Sequence, residues 1–150
     1  MTTTTYDERL AVPLRWWVQG VMFVATVWLA VVVAMPALWA WTVTAAMLGL
    51  LALSFVAYGS ARVTVADGAF RAGPARIEAA YLGRAEPLDE EATRRTAGME
   101  ADARAYLLLR PYLKRAVRVE IADPADPTPY WLVSTRHPEG LAEALNLLPR

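Results

Sequence analysis

The chain has 150 residues, no cysteine, and 15 basic against 15 acidic side chains, so its formal net charge is zero. This length allows one domain, or one small domain with an appendage. The composition excludes a disulfide-stapled secreted scaffold and a strongly charged disordered tail, and a zero net charge provides no general positive field for nucleic-acid binding.

Charge is distributed unevenly along the chain. The 46 residues between Arg15 and Arg62 contain no charged side chain, which excludes a simple soluble enzyme. A helix needs about 20 apolar residues to cross a bilayer core, so this segment accommodates two crossings, with Pro36 near the turn. We predict a transmembrane hairpin over residues 16–60, with helices near 18–35 and 37–58, after a separate amino-terminal segment, 1–15.

Aromatic and basic residues indicate how the hairpin sits. Trp and Tyr are favoured at the lipid–water boundary, and Lys and Arg are favoured on the cytoplasmic side. Arg9 and Arg15 precede the first helix and Arg62 follows the second, which predicts a multi-pass protein of the cell (inner or plasma) membrane with both termini in the cytoplasm. A cleaved signal peptide is disfavoured because the apolar run is too long. The predicted membrane-interface residues are Trp16, Trp17, Trp39, Trp41 and Tyr58.

From residue 61 onward the pattern changes to alternation, which predicts a cytoplasmic β-rich domain over residues 61–150. The Asp67-Gly68 dipeptide is typical of a tight hairpin turn between strands at 61–65 and 69–72. Further strands are predicted at 75–79, 106–109, 116–122 and 130–135. A short helix is predicted to begin near Pro87 and end at Gly98, and a carboxy-terminal helix over 138–148 is expected to close the core.

Two polar stretches are candidate ligand- or partner-binding segments. The basic and aromatic connection over 110–115 could contact anionic lipid headgroups, or it could be a solvated turn. In the proline-rich loop before the last strand, Asp123 and Asp126 could face Arg136, or each could anchor its own turn. The candidate residues are Arg110, Tyr112, Lys114, Arg115, Asp123, Asp126, Tyr130, Trp131 and Arg136.

The sequence contains no recognisable catalytic constellation. His137 is the single histidine, and there is no thiol, phosphate-binding glycine loop or nucleophile motif. We therefore predict no catalytic residue, no metal site and no cofactor.

Two resemblances follow from these residues. The run 123–138, DPADPTPYWLVSTRHP, with the upstream run 104–111, RAYLLLRP, resembles an actinobacterial membrane-protein family catalogued as domain-of-unknown-function family 3093. That family has no assigned activity, so the resemblance implies no catalytic residue. The order of two helices, several strands and a terminal helix is similar to bacterial pleckstrin-homology-like membrane proteins, which implies a bent antiparallel sheet closed by the last helix.

These features together predict an α+β membrane protein with an N-terminal transmembrane hairpin and a small antiparallel β domain. The leading function is a membrane-tethered cytoplasmic binding or assembly module without catalysis. Its predicted partners are the bilayer and another membrane or cytoplasmic protein, and not nucleic acid. Two alternatives are an anionic lipid-headgroup or small-ligand sensor and an envelope-associated enzyme that uses carboxylates.

Overall fold

The computed structural model describes residues 4–149, which divide into two compact units. One unit is Ala11–Ser60, and the other combines residues 4–10 with residues 61–149. The sequence predicts a separate segment over 1–15, whereas the structure places its first described residues in the β-rich unit. The reason is a strand, β1 (Thr4–Arg9), whose hydrogen-bonding partner at 62–66 follows the two helices in the sequence.

The first unit is a helical hairpin. Helix α1 runs from Leu14 to Ala34 and helix α2 from Ala37 to Tyr58, and both are long and apolar enough to cross a membrane. Helix α1 begins four residues earlier than predicted, directly after Pro13, which is in an extended conformation. Pro36 immediately precedes α2, as its missing N–H favours.

The two helices approach each other at a glycine in α1. A Cβ atom at position 20 would lie 2.8 Å from the Cδ2 atom of Leu51, whereas one at Gly49 would meet nothing within 4 Å. Trp17 packs edge-on against Phe55, with ring centroids 5.1 Å apart. Gly20, and not Gly49, therefore provides the space for close helix packing.

The β-rich unit contains two four-stranded sheets. The first has the order β1-β2-β3-β4 and is antiparallel throughout, with β2 at Arg62–Ala66, β3 at Ala69–Ala72 and β4 at Ala75–Glu78. Asp67 and Gly68 have φ values of 50° and 69°, the positive values that a two-residue hairpin turn requires. The predicted hairpin is confirmed.

The second sheet has the order β5-β7-β8-β6 and is mixed. Its strands are β5 (Leu82–Leu88), β6 (Tyr106–Leu108), β7 (Ala116–Ile121) and β8 (Tyr130–Ser134). Strand β6 is parallel to β8, which corrects the prediction of a purely antiparallel domain. The parallel pairing arises because β6 lies beside β8 and not beside β7, the strand that follows it in the chain.

Two helices complete this unit. Helix α3 (Glu90–Ala97) is capped by Asp89, which accepts a 2.7 Å hydrogen bond from the Ala92 amide. Helix α4 (Pro138–Asn146) has proline in its first turn, as predicted. The main core joins both sheets to α4 and contains Val63, Phe70, Val117, Trp131 and Leu141.

Candidate functional site

A carboxylate is buried on the inner face of the first sheet. Glu8 pairs with Val63 across β1 and β2, so its side chain shares a face with a fully buried residue. The alternation of β1 places Asp7 and Arg9 on the opposite, exposed face. Only 9% of Glu8 is exposed, and a buried carboxylate of this kind is costly unless its oxygens are hydrogen-bonded.

Each oxygen of Glu8 has its own set of donors. The Oε2 atom accepts from the Tyr6 hydroxyl at 2.6 Å and from the Thr135 hydroxyl. The Oε1 atom accepts from the Arg136 backbone N–H at 3.0 Å, and the Arg136 Nη1 atom lies 3.4 Å away. We call these four residues the Glu8 cluster: Tyr6, Glu8, Thr135 and Arg136.

The hydrogen bonds of the Glu8 cluster can all be made at the same time. The Tyr6 and Thr135 oxygens are 2.9 Å apart, but each hydroxyl has one hydrogen and directs it at Glu8. The Thr135 oxygen also accepts from the His137 backbone N–H at 3.0 Å. An ionised carboxylate only accepts hydrogen bonds, so this arrangement fits a charged Glu8 and a neutral Tyr6.

The electrostatics agree with that assignment. Burial by itself raises the pKa of Glu8, but hydrogen bonds from Thr135, Tyr6 and Arg136 outweigh burial and lower this pKa below its ordinary value. Burial and the hydrogen bond to Glu8 raise the pKa of the Tyr6 phenol. Glu8 therefore holds a fixed negative charge near neutral pH.

The Glu8 cluster connects distant parts of the β-rich unit. Its members come from β1 and from the connection between β8 and α4, and the Arg136 Nη1 atom also donates to the Arg9 carbonyl at 3.1 Å. The Tyr112 hydroxyl donates to the Leu10 carbonyl at 2.6 Å, just after β1 ends. The Glu8 cluster and the Tyr112 hydroxyl therefore bind β1 and fix its orientation.

The structure does not bring the predicted basic connection together as one exposed patch. The Arg110 amide donates to the Ser134 hydroxyl, and Tyr112 is buried. Lys114 and Arg115 are exposed, and the Arg115 Nη2 atom donates to the Arg136 carbonyl at 2.8 Å. Arg115 and Arg136 are therefore in direct contact, whereas Tyr112 faces the core.

The predicted acidic loop has a different arrangement from the one in which its carboxylates face Arg136. Asp123 accepts from the Ala125 amide and Asp126 from the Thr128 amide, so each carboxylate caps its own turn. The hydrogen bonds from Thr128 lower the pKa of Asp126. The carboxylate that reaches Arg136 belongs to Glu8.

The two aromatic candidates lie on opposite faces of β8, as alternation predicts. Trp131 is buried in the main core, where its ring packs against Phe70 and Tyr106. Tyr130 lies under the Arg118 guanidinium, 4.5 Å from the ring centroid, and its hydroxyl accepts from the Asp102 amide. Both rings are buried, so their described contacts are internal.

The predicted interface residues lie near the helix ends. Trp16 and Trp17 are in the first turn of α1 and pack on Phe55 of α2. Trp39 and Trp41 are 61% exposed near the start of α2, and Tyr58 is its last residue.

Sequence reasoning did not select Tyr6, Glu8 or Thr135. The available signal is the alternation of Tyr6, Glu8 and Leu10, which places a carboxylate on the apolar face of a short strand. Within residues 4–149, no group of three or more His, Cys, Asp or Glu side chains is placed to share a metal ion.

Replacement of Glu8 by glutamine tests the cluster. The substitution E8Q keeps the shape but removes the negative charge, and in either amide orientation its NH₂ group replaces an oxygen that accepts from two donors. We expect the β-rich unit to lose about 2–4 kcal/mol in its free energy of unfolding. The neighbouring exposed control, D7N, should change it by less than about 0.5 kcal/mol. Hydrogen exchange of the β1 and β8 amides in the full chain measures both; equal protection in the two variants would contradict the role of Glu8.

The stability contributed by Glu8 should depend on pH. Its pKa in the folded protein lies below the ordinary value of 4.5, so the unfolded chain takes up this proton first as the pH falls. The contribution is therefore complete above the ordinary pKa and is lost as the pH falls through the folded pKa. Between about pH 6.5 and about pH 3.5, wild type should lose more thermal stability than E8Q. Parallel losses in the two proteins would refute this assignment.

The comparisons with known proteins give a single family. No curated protein matches the chain, and no solved structure matches it. A family model described as "Protein of unknown function (DUF3093)" matches residues 5–145, which include both hairpin helices and all members of the Glu8 cluster. This match confirms the resemblance to domain-of-unknown-function family 3093, and the chain belongs to that family.

Proposed function

We propose that the chain is an integral protein of the cell membrane, with a hairpin that crosses the bilayer twice. The observation that carries this proposal is the apolar surface of α1 and α2, since only 6% of the most apolar window of each helix is buried. Val33 is 87% exposed and Leu53 is 67% exposed. A continuous apolar surface of this extent is unfavourable in water and favourable in a bilayer.

The orientation of the hairpin follows from its flanking charges. Arg9 and Arg15 lie before or within the first turn of α1, Arg62 follows α2, and there is no Lys or Arg between Arg15 and Arg62. By the positive-inside rule, both ends of the hairpin face the cytoplasm.

We infer that the β-rich unit is a membrane-tethered binding or assembly module, which acts on another membrane or cytoplasmic protein without catalysis. The buried carboxylate supports the part of this proposal that excludes catalysis. The donors around Glu8 hold β1 in place, which gives this carboxylate a structural role. The two four-stranded sheets and the terminal helix support the analogy with pleckstrin-homology-like membrane proteins, although the parallel β6–β8 pair departs from it. The alternative, a headgroup or small-ligand sensor at 110–115 or at the Asp123–Arg136 region, stays a prediction.

Introduced cysteines test the topology directly, because the chain has none of its own. A membrane-impermeant maleimide added to intact cells should label P36C, at the turn of the hairpin. It should label E90C, in α3, only after the cells are made permeable. The reverse pattern would overturn the orientation, and labelling of both positions in intact cells would overturn the two crossings.

Co-purification tests the assembly role. Tagged full-length chain, extracted from its own cells in a mild detergent, should recover a protein that an unrelated two-helix membrane protein does not. D7N should recover it at the wild-type level, whereas E8Q should lose it at temperatures at which only the β-rich unit of E8Q is unfolded, because E8Q destabilises that unit and leaves the hairpin sequence intact. Failure to recover any partner, while known membrane complexes survive the extraction, would refute the proposal. Retention by E8Q at those temperatures would assign the contact to the hairpin and not to the β-rich unit.

A further inference from the structure

Two arginines oppose each other on the outer face of the first sheet. Val63 and Val65 of β2 face the core, so Thr64 between them faces outward. The register pairs Thr64 with Arg71 and Arg71 with Arg76. Asp7 of β1 is the register partner of Thr64, so the outward row across the four strands reads aspartate, threonine, arginine, arginine.

This pairing is unfavourable within the protein alone. Like charges directly opposite each other on neighbouring antiparallel strands repel, because their Cβ atoms are about 5 Å apart. Both arginines are exposed. Among the residues that the structure describes, no carboxylate lies within ion-pair distance of either guanidinium. An anion bound between them would relieve the repulsion.

The same two arginines line a pocket of about 210 Å³. Thr64, Ala66 and Ala69 also line it, and the small alanine side chains leave the space open. Asp67, in the β2–β3 turn, is the remaining lining residue. The volume is below the range of roughly 300–1,000 Å³ that is typical of sites for drug-sized ligands, so the pocket suits a small polar group.

We propose that this pocket, the Arg71–Arg76 pocket, binds a phosphate-class oxyanion. Each guanidinium presents a planar set of N–H donors that matches the oxygens of a phosphate group, and the Thr64 hydroxyl adds a neutral donor. The phosphate can be a free ion or the phosphate of an anionic lipid headgroup. The site involves none of the residues of the Glu8 cluster and does not depend on the assembly role proposed above.

A substitution at Asp67 distinguishes a binding pocket from a solvated surface. Asp67 lines the pocket, and its negative charge lowers the affinity for an anion. Asn tolerates the left-handed conformation that Asp67 has, with φ at 50°. The substitution D67N should therefore fold normally and bind phosphate more tightly than wild type.

The experiment uses the full chain in maltoside micelles, which contain no phosphate. Inorganic phosphate replaces chloride at constant ionic strength, and the melting temperature is recorded at each concentration. Wild type should show a saturable rise in melting temperature. The variant R71Q/R76Q should require at least about tenfold more phosphate, since each lost charge-assisted hydrogen bond is strong. Without phosphate this variant should melt no lower than wild type, because the like-charge pair has been removed.

A matched control separates the site from general charge effects. R94Q/R95Q removes two exposed arginines from α3 and should respond to phosphate as wild type does. No saturable response in wild type to phosphate or to lipid would overturn the proposal. So would an undiminished response in R71Q/R76Q, or equal losses in both double variants.

A second arm identifies the source of the phosphate. Phosphatidate is added to the micelles, with diacylglycerol, which lacks the phosphate, as its control. Stabilisation by phosphatidate at concentrations where inorganic phosphate has no effect, lost in R71Q/R76Q, supports the site and assigns a lipid headgroup. Stabilisation by both at similar concentrations supports the site and assigns a free phosphate group. Equal stabilisation by diacylglycerol and phosphatidate would exclude a lipid headgroup as the source of the phosphate.

Discussion

The β-rich unit depends on the hydrogen bonds that satisfy its buried carboxylate, Glu8. An ionised carboxylate in a protein interior costs several kcal/mol, and this cost is offset only where hydrogen bonds satisfy its oxygens. Glu8 meets that condition with donors from Tyr6 on its own strand and from Thr135 and Arg136, more than 120 residues along the chain. Strand β1 is therefore held by side-chain chemistry as well as by its pairing with β2.

That attachment constrains the hairpin, because Ala11–Ser60 is inserted between two paired strands. The last residue of β1, Arg9, is the register partner of the first residue of β2, Arg62. A segment inserted between two such neighbours must return to the side that it left. Two crossings satisfy this requirement, whereas one crossing would break the β1–β2 pairing. The strand pairing therefore requires an even number of crossings, which the proposed double crossing satisfies.

Local patterns explain what could be predicted. The helices follow from apolar length, the β2–β3 hairpin follows from Asp67-Gly68, and α3 follows from its acidic start. The sequence does not predict β5, which contains Gly83 and Pro87, two residues that weaken strands and are tolerated here at a sheet edge. It also does not predict β1 or the parallel β6–β8 pair, because their partners are set by the assembled fold.

The same limit applies to the candidate site. Of the two alternatives for the acidic loop, the structure confirms that Asp123 and Asp126 each anchor their own turn, and the carboxylate that pairs with Arg136 is Glu8. Nearby aspartates are satisfied by amides two residues away, a local bond that costs little chain entropy. The carboxylate that pairs with Arg136 is therefore distant in the sequence, and the spacing of residues along the chain does not predict which carboxylate it is.

The two faces of the first sheet differ in whether their charged side chains have compensating partners. On the inner face a single carboxylate is surrounded by donors, whereas on the outer face Arg71 and Arg76 are placed directly opposite each other. Burial explains the difference, because an uncompensated charge is far more costly in the interior than at a solvated surface. A net charge of zero therefore does not mean that the chain lacks a place for an anion. Recognition depends on where the positive groups converge, and the sheet register makes them converge on its outer face.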